Sequence, residues 1–151
     1  MATEQTLILI KPDGAARRLT GLTIDRLDAS GLEMVGAKMV SVSEKLAREH
    51  YKSLSDKPFF EGLIKYIRGE FHNIKDSRIL ALVYRGENAI KKVREIAGAT
   101  NPEQAAPGTI RGSFGRITTT QQFENVIHAS SDPADAAREV ALWFKPEEIL
   151  K

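Results

Sequence analysis

His128 stands in "ENVIHASSDP" (124–133), between the apolar pair Val126 and Ile127 and the dipeptide Asp132-Pro133. The pair reads as buried strand, and the dipeptide as a helix N-cap followed by a first-turn proline. A histidine there lies at or near a strand end, beside the free amides of a helix N-terminus, where anions gather. Two readings fit the position: a core histidine, or the reactive group of an active site. Other polar residues also stand at breakpoints of the pattern. Lys11 follows the first apolar run, and Arg94 lies on a helical stretch. Thr100-Asn101-Pro102 opens a long polar segment, Arg111 sits within it among glycines, Asn125 precedes the apolar pair, and Ser130 follows the histidine. Taken singly, each has an ordinary reading as a solvated lysine, a surface arginine, a turn or a structural histidine.

Several chemistries are excluded. There is no cysteine, hence no disulfide, thiolate or cysteine-ligated zinc. "GTIRGSFG" (108–115) fits neither G-x-x-x-x-G-K-[ST] nor G-x-G-x-x-G. His50, His72 and His128 are far apart, with no H-E-x-x-H, and G-x-S-x-G is missing. Lys and Arg total 22 against 20 Asp and Glu, and no basic tract offers a dedicated nucleic-acid surface. An anionic ligand must therefore be met by a few placed cations. The apolar run in "MATEQTLILIKPDG" is too short for a signal peptide, and no stretch reaches membrane-spanning length. The expectation is a soluble, cytoplasmic protein.

The positioning elements follow from periodicity. "TLILI" (6–10) is a central strand ended by the turn "KPDG". Leu22, Ile24 and Leu27 mark a helix stopped by Gly31, and 32–42 is a second strand. Ser43 caps a helix bearing Leu46 and Leu54, and Pro58 begins another with Phe60, Leu63, Ile64 and Ile67. "RILALVY" (78–84) is the third strand, and 87–98 a helix ended by Gly98. Residues 99–124 show no periodicity. A fourth strand holds Val126 and Ile127, a last helix over 133–144 buries Ala137, Val140 and Phe144, and "KPEEILK" is a tail. This order predicts one sheet covered by helices in a single domain, 1–151. Long structureless loops are rare in compact domains unless functional, and this one runs straight into His128.

In combination these residues resemble the nucleoside diphosphate kinase family. The matching stretches are "TLILIKPDG", "HYKSLSDKPFFEGLIKYI" (50–67), "GATNPEQAAPGTIRGSFG" (98–115), "NVIHASSD" (125–132) and "EVALWFKPEE" (139–148), in family order. The resemblance implies a ferredoxin-like fold of the α+β class, with a four-stranded antiparallel sheet. It also implies reversible ping-pong transfer of the terminal phosphate of a nucleoside triphosphate, typically ATP, to a diphosphate. By it His128 is the phosphorylated nucleophile. Glu139 hydrogen-bonds the other ring nitrogen, with Ser130 in support. Lys11, Arg94, Arg111 and Thr100 are phosphate ligands, and Tyr51 lines the site. Asn125 and Lys11 meet the ribose, and Phe59 stacks on the base with broad base specificity, leaving Phe60 buried. Mg²⁺ is the cofactor, held mainly through nucleotide phosphates rather than by protein side chains. A homo-oligomer is implied, a hexamer ahead of a tetramer.

The chemistry agrees, since a neutral imidazole attacks phosphorus near pH 7 without a separate base. Two segments are longer than the family pattern: "RGEFHNIKDSR" (68–78), where His72 reads as a surface residue, and "RITTTQQFE" (116–124). Ala129 and Ser131 stand where the family often has Gly and an acidic residue, with Asp132 one place later. A non-catalytic regulator or nucleic-acid binder on the same fold, and a protein-histidine phosphocarrier, are the alternative functions. The intact residue set argues against the first, and the ribose and base contacts against the second.

Overall fold

The computed structural model describes residues 3–151. The chain runs β1 (Thr3–Ile10), α1 (Pro12–Ala16), α2 (Thr20–Asp28), β2 (Glu33–Ser41), α3 (Glu44–His50), α4 (Phe60–Ile67), β3 (Arg78–Glu87) and α5 (Ala89–Ala97). It continues through α6 (Ile110–Phe114), the hairpin β4 (Arg116–Ile117) and β5 (Phe123–Glu124), β6 (Ile127–Ala129) and α7 (Pro133–Trp143). Four strands form one antiparallel sheet in the order β2-β3-β1-β6, the ferredoxin-like arrangement.

Helices cover both faces of this sheet, so its central strand is apolar at consecutive positions although strand side chains alternate. Leu7 and Leu9 join Ala81 and Val83 in a cluster with Tyr51, Phe60, Ile64, Val140 and Trp143 from the α3, α4 and α7 side. Ile8 and Ile10 join Leu82 and Tyr84 in a second cluster with Leu27, Val93, Ala97, Ile110 and Ile127. His128 pairs directly with Leu9. Opposed residues of an antiparallel pair project to the same face. The pleat therefore sends His128 toward α3 and α7, and Ile127 and Ala129 to the other side.

Several local expectations are corrected. "KPDG" opens α1, with Lys11 at its N-cap and Pro12 in the first turn, where a missing N–H costs nothing. Residues 99–124 are built: the Asn101 side chain accepts from Glu103 N at 2.9 Å, Thr109 caps α6, and the β4–β5 hairpin follows. Such caps and short turns leave no periodic signal. Leu54 lies beyond α3, in a short 3-10 turn, and Pro58 precedes α4 without entering it. In α7 the buried residues are Ala136, Glu139, Val140 and Trp143, whereas Ala137 faces outward. The fourth strand begins at Ile127, because Val126 has φ +72 and cannot be extended.

Capping rules explain the rest. Ser43 accepts from Leu46 N at 3.0 Å, and Asp132 accepts from Asp135 N at 2.8 Å, as expected of N-cap side chains. Gly98 ends α5 at φ +90, a conformation that glycine adopts without a Cβ penalty.

Candidate active site

His128 has its Nε2 2.8 Å from Glu139 Oε1, and the same oxygen accepts from Ser130 Oγ at 2.8 Å. Ser130 is fixed in turn by Leu7 N, which donates to its hydroxyl at 3.2 Å. Strand β1 thus orients the serine, the serine holds the carboxylate, and the carboxylate holds the ring. Glu139 reaches the ring from α7, whose start is set by the Asp132 cap. Its acceptor oxygen puts the proton on Nε2 and leaves the lone pair on Nδ1.

Beside this ring lies His50, the last residue of α3, with ring centroids 4.5 Å apart in an edge-to-face arrangement. His50 Nδ1 accepts from Trp143 Nε1 at 3.0 Å. Arg138 donates to the carbonyls of Glu49 and His50, tying α7 to α3. Burial, followed by the charges of Lys11 and Arg111, holds His128 well below the usual histidine range. Burial also lowers His50, with the neighbouring His128 next in effect. Both imidazoles are neutral at pH 7.

Three cations surround the histidine. Lys11 Nζ donates to Asn125 Oδ1 at 2.8 Å, and Asn125 Nδ2 donates to the Thr100 carbonyl at 2.8 Å. Arg111 donates to the carbonyls of Gly98 at 2.9 Å and Ile127 at 2.8 Å, and Arg94 contacts the Ala129 carbonyl at 3.4 Å. The two arginines so grip the backbone on either side of His128. Among the described residues none of the three cations forms an ion pair. Lys11 and Arg111 are nonetheless buried. Burial, then the Arg111 charge, brings Lys11 down to about 7, with Asp13 acting in the opposite sense. Burial, then Arg94, brings Arg111 down to about 10. Buried cations without an ion-pair partner are costly, and a polyanionic ligand is what would offset them.

The structure gathers Lys11, Arg94, Arg111, Asn125, His128, Ser130 and Glu139, with Thr100 joined through its carbonyl. Tyr51 packs edge-on against His50, with centroids 4.7 Å apart, and its buried hydroxyl has no partner. Burial raises that phenol far above its ordinary range. Phe59 is 52% exposed at the N-cap of α4, while Phe60 is 8% exposed in the core, so the division expected within "PFF" holds. No side-chain bond joins Phe59 to the histidine set.

His72 is not a plain surface residue. Its Nε2 lies 3.1 Å from Glu124 Oε2, and Arg116 Nε donates to Glu124 Oε1 at 2.9 Å. The buried Glu124 requires partners, and the segments 68–78 and 116–124 supply one each.

Sequence reasoning missed Asp13, His50, Tyr66 and Trp143. Asp13 is fully buried; it accepts from the Tyr66 hydroxyl and, at 3.0 Å, from Val126 N. Val126, at φ +72 and spanned by Ile127 N donating to Asn125 O at 2.8 Å, centres a strained γ-turn that costs on the order of 1–3 kcal/mol. These bonds, with Lys11 N donating to Val126 O at 2.9 Å, offset it. The only available signals were a Pro-Asp-Gly triplet, which also reads as a turn, and aromatic residues within apolar stretches.

The family described as nucleoside diphosphate kinase matches residues 4–149. The chain belongs to the nucleoside diphosphate kinase family. A nucleoside diphosphate kinase of Pyrococcus horikoshii is 44% identical over 149 residues, covering 99% of this chain and 90% of that one. One from Macrococcus caseolyticus is 44% identical over 97% of this chain and 92% of its own. Among solved structures, the nucleoside diphosphate kinase of Borrelia burgdorferi, a transition-state mimic with bound vanadate and ADP, superposes with a TM-score of 0.86. It is 39% identical and covers 99% of this chain and 91% of its own. The Halobacterium salinarum enzyme in complex with CDP gives the same TM-score and identity over 99% and 93%.

Proposed function

We propose that this nucleoside diphosphate kinase, a single domain over 1–151, works through a phosphohistidine on Nδ1 of His128. The observation that carries the reading is the Glu139–His128 bond at 2.8 Å, beside three cations that form no ion pair among the described residues. The Nδ1 lone pair attacks the terminal phosphorus, a P–N bond forms, and the P–O bond to the leaving diphosphate breaks. In the second half-reaction a terminal oxygen of another diphosphate attacks the same phosphorus, and the electron pair returns to Nδ1. Protonation of the leaving group is not required, because a diphosphate leaves as an anion.

Lys11, Arg94 and Arg111 offset charge as it moves toward the leaving oxygen, and such positioned donors are worth roughly two to three powers of ten in rate. Thr100 and Tyr51 complete the phosphate pocket. Asn125 and Lys11 meet the ribose, and the exposed Phe59 offers a face to any base, which suits broad specificity. Glu139 is engaged by His128 and Ser130, and Asp13 by Tyr66 and Val126. The donor set fits Mg²⁺ carried on the nucleotide phosphates, where it supplies further charge neutralisation. We also propose a homo-oligomer, a hexamer in preference to a tetramer. Supporting self-association, whichever the copy number, is the edge strand β2, which leaves Met39 60% exposed. Phosphorylated substrates do not cross bilayers unaided, which fits work in the cytoplasm.

The test is incubation with γ-labelled ATP and Mg²⁺ without acceptor. Acid-labile, base-stable label absent from His128→Asn, and chased onto either GDP or CDP, is the expected result. No label on the unsubstituted protein would sink the reading.

A further inference from the structure

Asp13 plays no part in the transfer steps above, yet it is fully buried between the elements that carry them. Its two carboxylate oxygens serve different elements. One accepts from the Tyr66 hydroxyl of α4, and the other from Val126 N at 3.0 Å. Val126 O in turn accepts from Lys11 N at 2.9 Å, so the start of α1 and the approach to β6 close a small hydrogen-bonded ring. Packing there is tight: a Cβ on Gly14 would stand 2.8 Å from Val126 O. Asn125 and His128 flank the ring on one strand of chain, and Lys11 closes it on the other through its backbone N–H.

The backbone at Val126 makes the ring consequential. At φ +72 a valine is outside the regions that L residues with branched side chains prefer. Were Val126 to relax, the chain would change direction between Asn125 and His128. The Lys11–Asn125 bond at 2.8 Å would then lose its register with the imidazole.

We propose that Asp13 is a positioning residue for phosphate transfer, pinning Val126 in its strained γ-turn and thereby fixing Asn125 and His128 against Lys11. It rests on the assignment of Lys11 and His128 to the transfer site. The charge of Asp13 also acts on the cations. The Lys11 amine donates to Asn125 and lies 5.5 Å from the centroid of the Tyr66 ring of α4; the charges of Asp13 of α1 and Arg111 of α6 act on it, and its own charge acts on the two imidazoles. Asp13 supports the charged form of both Lys11 and Arg111. Removing its charge must therefore move the pH at which Lys11 loses its proton to more acidic values.

The experiment compares Asp13→Asn and Tyr66→Phe with the unsubstituted protein. Three readouts are taken: the rate of labelling by γ-labelled ATP, the pH at which ADP binding weakens, and the melting temperature. Asp13→Asn is expected to slow labelling by roughly tenfold to a hundredfold, the scale of a lost charge-assisted bond. It should also shift the ADP-binding midpoint to lower pH. Tyr66→Phe keeps the charge, so it should slow labelling by only about fivefold and leave the midpoint in place. An Asp13→Asn protein with native rate and midpoint overturns the proposal. So does one whose rate falls in step with its melting temperature while the midpoint stays. Where Asp13→Asn does not fold, a Tyr66→Phe protein labelling at the native rate overturns it alike. An unsubstituted protein that takes no label fails the phosphohistidine reading instead, and the role of Asp13 is then decided by the ADP-binding midpoints.

Discussion

Glu139 accepts the Nε2 proton of His128 at 2.8 Å, and that bond selects which ring nitrogen keeps its lone pair. The selection is made without charge on the ring, because burial and the neighbouring cations keep His128 neutral. Glu139→Ala should therefore slow labelling of the histidine by roughly tenfold to a hundredfold, the worth of a hydrogen bond to a charged group. Ser130→Ala removes a support of the carboxylate and the acceptor of Leu7 N but leaves the Glu139–His128 bond, and should cost less than about tenfold. Rapid-quench labelling of the two variants checks the order. A serine variant slower than the glutamate variant would refute it.

Arg111 and Arg94 grip neighbouring carbonyls but differ in what their loss exposes. Arg111 is 4% exposed and satisfies the carbonyls of Gly98 and Ile127. Arg94 is half-buried, with one long contact of 3.4 Å. Arg111→Ala should cost about 1–3 kcal/mol of stability for each carbonyl it leaves unpaired. Arg94→Ala should change stability little. Both should slow phosphate transfer by roughly two to three powers of ten if both stabilise developing charge. Urea unfolding together with single-turnover rates separates the two roles. Equal stability losses would mean that the hydrogen-bond pattern around β6 is wrong.

What was legible in the sequence depended on whether a signal was local. Apolar runs marked the strands, and Ser43 and Asp132 announced their helices through caps that need only three residues to form. Sheet order was not legible from periodicity; it came with the family resemblance, since no local pattern says that β1 lies between β3 and β6. The ring of Asp13, Val126 and Lys11 stayed hidden because it joins residues more than a hundred positions apart. The Asp13 carboxylate offered only a turn-like triplet as a clue. His72 was misread for the same reason: its partner Glu124 lies in the segment 116–124, and neither residue has a periodic neighbour to reveal its burial.

Lys11 is partly deprotonated near neutrality in the nucleotide-free protein, brought to about 7 by burial and then by Arg111. A bound polyphosphate favours the charged amine, so above pH 7 binding must take up a proton. Affinity for ADP should accordingly fall as pH rises past about 7. Calorimetry at pH 8 in two buffers of different ionisation enthalpy should show net proton uptake, absent in Lys11→Met. Identical binding heats in both buffers would contradict the assignment of Lys11 as the titrating ligand of phosphate.

The two packed imidazoles make a separate prediction about stability. His50 and His128 are both held well below 6.5, chiefly by burial. Between those depressed values and 6.5 the unfolded chain binds protons that the folded chain does not. The sign follows: stability rises with pH up to about 6.5, and is lost as pH falls below it. Each histidine contributes a slope approaching about 1.4 kcal/mol per pH unit in that window. His50→Gln keeps an acceptor for Trp143 but removes one titrating ring, so it should remove about half of the histidine slope. Urea unfolding of both proteins at a series of pH values between 5 and 7 measures it. An unchanged slope would mean that His50 is already charged in the folded state. Its hydrogen bond from Trp143 forbids that, because a protonated ring has no lone pair to accept it.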